Sequence, residues 1–129
     1  MKKTVAALAV VFFAVTFIAF AADDTKPELR PAQKIMQARQ AWLTAMSENL
    51  RADRFEAVAR DADALAVQTR KAGENLPNPL AKELTLAISF LAKDVSAAAG
   101  KGDGKTVNVK LGEIKGKCGE CHAKIRDKK

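Results

Sequence analysis

Cys118-Gly119-Glu120-Cys121-His122 lies near the end of this 129-residue chain and contains its only two cysteines and its only histidine. The spacing i, i+3, i+4 puts all three side chains on one face of an α-helix. The residues before the motif carry the same face backward. Val107, Leu111, Ile114, Cys118, Cys121 and Ile125 follow a heptad-like rhythm. A helix is therefore expected over 106–127, with its chemistry-bearing residues on the stripe that packs inward.

Further toward the N-terminus, Gly100-Lys101-Gly102-Asp103-Gly104 reads as a turn. Before it, Pro77-Asn78-Pro79 is the clearest break in the chain. Asn78 suits an N-cap and Pro79 a first helical position, where a missing N–H costs nothing. A helix over 79–99 follows, carrying Leu80, Leu84, Ala87, Phe90, Leu91, Val95 and Ala98. The preceding helix is expected over 54–72. Asp53 and Glu56 form a capping-box-like start, and Phe55, Val58, Ala59, Ala62, Leu65 and Ala66 form its apolar face. Gly73 reads as its stop. The first helix is expected over 31–50, with Pro31 in its opening turn and Ile35, Met36, Trp42, Leu43, Met46 and Leu50 at helical spacing. Four amphipathic helices with short connections make an all-α, antiparallel four-helix bundle.

The motif itself reads as a covalent attachment site for one haem c. Each thiol can add to a haem vinyl group, and the adjacent imidazole can ligate the iron. Three other readings of the same residues stand beside it. A redox dithiol would need a strand-to-helix setting that this chain lacks. A zinc site would have only three protein ligands. The third is a plain disulfide beside an unrelated histidine.

The first 21 residues resemble an export signal. Lys2 and Lys3 precede an uncharged, mostly apolar stretch, and Ala19-Phe20-Ala21 is an A-x-A-type cleavage site. Cleavage would leave 22–129 as one domain, exported to the periplasm and without stable membrane association. An uncleaved anchor facing the periplasm is the alternative, since the stretch is near the lower limit for spanning. Loss of Lys2 and Lys3 takes the formal charge of +7 to +5. Only Trp42, Phe55 and Phe90 remain as aromatics, so the core must be mostly Leu, Ala, Val and Ile. Much of the positive charge lies by the motif. Lys115, Lys117, Lys124, Arg126, Lys128 and Lys129 stand against Glu120 and Asp127. Such a rim suits an acidic redox partner. So modest an excess in an exported protein argues against nucleic-acid binding. No paired-acid or other substrate-transforming constellation is visible, so the chain does not read as an enzyme.

A C-terminal C-x-x-C-H on the last of four helices resembles the class II cytochromes c, meaning cytochrome c-prime and its low-spin His/Met relatives. The resemblance covers the whole of 22–129 as an architecture, but only the helix-4 motif is specific. It implies Cys118 and Cys121 as the covalent anchors and His122 as an axial iron ligand. It also implies a propionate contact for Arg126, four residues after the histidine, and a possible homodimer. Haem attachment to thiols is extracytoplasmic in bacteria, which suits the export signal.

The far side of the iron separates two functions. A methionine there gives a low-spin electron carrier, whereas an open face gives a five-coordinate binder of NO or CO. In an up-down-up-down bundle the start of helix 1 lies beside the end of helix 4. Met36 is then level with His122, while Met46 lies about 15 Å further along at 1.5 Å per residue. Met36 also matches the position of the methionine in the low-spin relatives, so it is expected as the second ligand and Met46 as core. Arg39 falls on the apolar sector of helix 1, where a charge is costly unless paired. It is expected to approach a propionate or the haem edge.

Overall fold

Three tight connections set the architecture, at residues 52–54, 75–78 and 101–103. The structure, a computed structural model, describes residues 28–126. The export signal expected at 1–21 lies outside them, as do Asp127, Lys128 and Lys129. Helix α1 runs Pro31–Arg51, α2 Phe55–Glu74, α3 Pro79–Gly100 and α4 Gly104–Cys121, and a single π-helical turn, His122–Arg126, follows α4. There is no strand among the described residues. Connections this short force neighbouring helices antiparallel, so the chain is a four-helix bundle.

The helix ends have local chemical causes. Asn78 Oδ1 accepts from Ala81 N at 3.0 Å, and Pro79 occupies the first turn of α3, as expected. The end of α3 and the start of α4 share residues. Gly102, at φ +68°, donates its N–H to Ala99 O, and Asp103 N donates to Ala98 O, the paired bonds of a Schellman motif. The Asp103 carboxylate then caps α4 by accepting from Thr106 N at 3.0 Å and from Thr106 Oγ1 at 2.6 Å. This moves the helix start back to Gly104 from the expected 106.

The same motif closes α1, but with an aspartate where glycine is usual. Asp53 sits at φ +54°, donates its N–H to Leu50 O, and passes Arg54 N to Asn49 O. Asp53 therefore does not open α2 through a capping box. It is consumed in closing α1, and α2 starts at Phe55 without a side-chain cap. Gly73 is not a stop either. It lies buried inside α2, which ends at Glu74. A Cβ built on it would come within 2.9 Å of Leu86 Cδ2 and 3.4 Å of Leu86 N. Its role is close approach of α2 to α3.

The core is aliphatic, as composition requires. It joins Leu43 and Met46 of α1, Val58, Ala62, Leu65 and Ala66 of α2, Ile88, Ala92, Val95 and Ala99 of α3, and Val107, Leu111 and Ile114 of α4. Trp42, Phe55 and Leu91 pack against its edge. The inward face of α3 keeps Leu84, Val95 and Ala98, as expected, but it is wider than expected and leaves out Phe90. Thr85, Ile88, Ser89 and Ala92 are buried, while Phe90 is 67% exposed. Phe90 lies two residues from both Ile88 and Ala92, a spacing that points it away from the side they bury. Small residues at the α2–α3 contact let those backbones approach, and Ser89 Oγ donates across it to Ala66 O at 2.8 Å.

The four seams differ. The α2–α3 seam is the most extensive, and α1 and α4 touch least of the neighbouring pairs. Residues 31–38 of α1 are all exposed, so at the end of the bundle where α4 finishes, α1 stands away from the core.

Candidate functional site

The thin seam between α1 and α4 holds a cavity of about 250 Å³. Met36, Arg39, Gln40 and Leu43 line it from α1, Thr85 and Ile88 from α3, and Lys115, Cys118, Cys121 and His122 from the α4 end. Five of the sequence-predicted residues therefore meet in one space: Cys118, Cys121, His122, Met36 and Arg39. The helical spacing of the motif directs both thiols and the imidazole into it. The antiparallel register brings up Met36 from the other end of the chain. Met46 is fully buried in the core and does not line the cavity, consistent with a packing role. Arg126 is an exposed residue of the π-helical turn and lies outside the cavity lining.

The expected α-helix over 106–127 becomes π-helical at His122. A π turn widens the backbone by one residue and often occurs at functional positions. Here it begins at the imidazole-bearing residue.

Both cysteines are free thiols and half-buried, so the chain is not tied by a disulfide at the motif. Burial pushes the Cys118 thiol above its ordinary value, and the Arg39 guanidinium partly offsets this. Arg39 is only 7% exposed. Burial lowers its pKa, while Cys118 and Cys121 act in the opposite direction. Its Nε donates to Gln68 Oε1 on α2 at 2.9 Å. Gln68 was not a candidate from the sequence. A neutral residue 29 positions away gives no signal until the bundle forms.

The basic rim is thinner than the sequence count implies. Lys117 and Lys124 both bind Glu120, at 3.3 and 2.7 Å, and hold its carboxyl below the usual range. Lys110 contacts Glu113 at 3.2 Å and Asp94 at 3.8 Å. Lys115 instead faces α1, with Nζ 3.5 Å from Ser47 Oγ.

Among the described residues, no group of three or more His, Cys, Asp or Glu is arranged to hold a metal ion. The donor set fits a group that brings its own equatorial ligands: two thiols and an imidazole on one wall, a thioether sulfur on the other, and an apolar floor from Leu43 and Ile88. The volume falls below the roughly 300 Å³ at which ligand pockets begin, so a macrocycle would fit only if α1 and α4 moved apart. That seam is the one with least packing to lose. No helix among the described residues is long and apolar enough to cross a membrane. No protein-family model, no curated protein and no solved structure matches the chain.

Proposed function

We propose that this chain is an exported, monohaem c-type cytochrome of the class II kind, acting as a one-electron carrier. The observation that carries the reading is the convergence of Met36 with Cys118, Cys121 and His122 on one cavity, from opposite ends of the sequence. Cys118 and Cys121 would hold haem c through thioethers, and His122 and Met36 would bind its iron. When bound, haem supplies the one-electron iron couple, and a Met/His ligand pair favours a raised potential. The chain supplies position, exclusion of water and a docking surface. Leu43 and Ile88 keep one side of the cavity dry. Lys124 and Arg126 are exposed just beyond α4, where an acidic redox partner would dock, with association favoured at low ionic strength.

The test is the absorption spectrum of the purified protein, oxidised and reduced, with and without CO, together with a haem stain after denaturing electrophoresis. The expected result is a covalent haem, low-spin in both states and unreactive with CO. A high-spin, CO-reactive protein would return the five-coordinate gas-binding reading. A chain without covalent haem would return the non-haem dithiol or metal-binding reading.

A further inference from the structure

Arg39 is the buried charged residue of the cavity. It is 7% exposed, and no carboxylate among the described residues pairs with it. Its hydrogen-bond partner, Gln68, is neutral. A guanidinium stays protonated at any ordinary pH, so this is a fixed buried cation. An uncompensated buried charge destabilises a fold, and an apolar side chain of similar length would remove that penalty. The bundle does not need the charge for packing, because its neighbours on α1, Leu43 and Met46, fill the core without it.

The position of the charge suggests its use. Arg39 lines the same cavity as Met36 and His122, and its electrostatic neighbours are the two attachment thiols. Arg39 shares the cavity with both thiols, so a haem held there would lie close to its charge. A positive charge fixed near a redox centre in a medium of low dielectric stabilises the form that holds one more electron. We propose that Arg39, fixed by its hydrogen bond to Gln68, is an electrostatic positioning residue that raises the reduction potential of the haem held between α1 and α4.

This inference rests on the function proposed above. Its test is a redox titration of the haem-loaded protein and of three variants, Arg39→Gln, Arg39→Lys and Gln68→Glu, at pH 5 to 8. Arg39→Gln removes the charge. Gln68→Glu leaves the arginine in place and neutralises it with a carboxylate on the residue that already binds it. Arg39→Lys keeps the charge. At the wild-type midpoint, Arg39→Gln and Gln68→Glu should shift the oxidised-to-reduced ratio roughly tenfold toward oxidised. That is the order a unit charge exerts across about 10 Å at an effective dielectric of about 20. Arg39→Lys should shift it less than threefold, and the pH dependence should stay that of wild type. If Arg39→Gln fails to fold, Gln68→Glu decides alone. Unchanged ratios in haem-loaded variants overturn the inference and leave the proposed function standing. A new pH dependence in Arg39→Gln also overturns it, since it would put Arg39 on a propionate. A wild-type chain without covalent haem overturns both.

Discussion

The two methionines of the bundle offer a double dissociation. Met46 is fully buried in the core, whereas Met36 is 41% exposed at the cavity rim. Truncating a buried methionine costs about 2–5 kcal/mol, through lost transfer energy and the cavity left behind. A fully buried methionine side chain gains about 1.5–3 kcal/mol from burial, so Met36, just over half buried, has about 1 kcal/mol of packing to lose. Met36→Ala should therefore be nearly silent in stability and loud in the spectrum, and Met46→Ala the reverse. Stability is best measured by urea unfolding in a Cys118→Ser/Cys121→Ser background, so that loss of an iron bond does not enter. Spectra are recorded on the haem-loaded variants. Met36→Ala should turn high-spin and bind CO when reduced. Met46→Ala should stay low-spin and unfold at clearly lower urea. Conversion of the spectrum by Met46→Ala alone, or an unaltered spectrum in Met36→Ala, would refute the register argument that sets Met36 opposite His122.

Glycine-to-alanine exchange should have opposite signs at two helical sites. At Gly112 a new Cβ meets nothing within 4 Å, so alanine should stabilise by about 0.5–1 kcal/mol through backbone entropy. At Gly73 the 2.9 Å approach to Leu86 should cancel or exceed that gain, since overpacking costs about 1–3 kcal/mol. Parallel thermal melts distinguish the two, and equal stabilisation at both would contradict the close α2–α3 contact. The Asp103 cap should give α4 an acid-sensitive end. The side-chain hydrogen bond from Thr106 holds the Asp103 carboxyl below its ordinary range. A lowered folded-state pKa means stability that is present at neutral pH and lost as pH falls through that value. Asp103→Asn should therefore flatten part of the stability loss below about pH 4. Superimposable pH profiles would show that the carboxylate contributes nothing there.

How far the sequence can be read depends on the range of the interaction involved. Asn78-Pro79 is legible because cap and proline act within one turn, and α3 begins where they set it. The meeting of Met36 and His122 is also legible, because antiparallel register follows from four helices and short loops. Asp53 is not. An aspartate between two helices can cap the second or close the first, and the Leu50 and Asn49 carbonyls decide it. Gly73 reads as a stop until Leu86, on another helix, reveals a contact. Phe90 misleads because α3 buries aliphatic and small residues and leaves its largest side chain outside. The exposed aromatic is visible only once Thr85, Ile88, Ser89 and Ala92 are known to face inward. The π turn at His122 has no signature in the sequence, and Gln68 acquires meaning only through Arg39.

The distribution of packing predicts where the chain should be weakest without a cofactor. At the end of the bundle that bears the motif, α2 and α3 are locked by the Gly73–Leu86 approach and the Ser89–Ala66 hydrogen bond. On the other side of the same end, none of residues 31–38 is buried in the core, Arg39 introduces an unneutralised charge, and α1 barely meets α4. Local opening follows low burial and sparse contact. In the Cys118→Ser/Cys121→Ser protein, amides of 34–40 and 118–126 should exchange orders of magnitude faster than those of 58–72 and 84–98. Haem loading of the wild type should slow the first set most. Uniform protection across all four helices without haem would mean that the α1–α4 seam is closed by packing alone, and the cavity would then have no reason to yield to a macrocycle. Fast exchange confined to that seam would connect the thin contact, the costly arginine and the motif as one device. The helices that carry the ligands would be the ones left for the ligand to bring together.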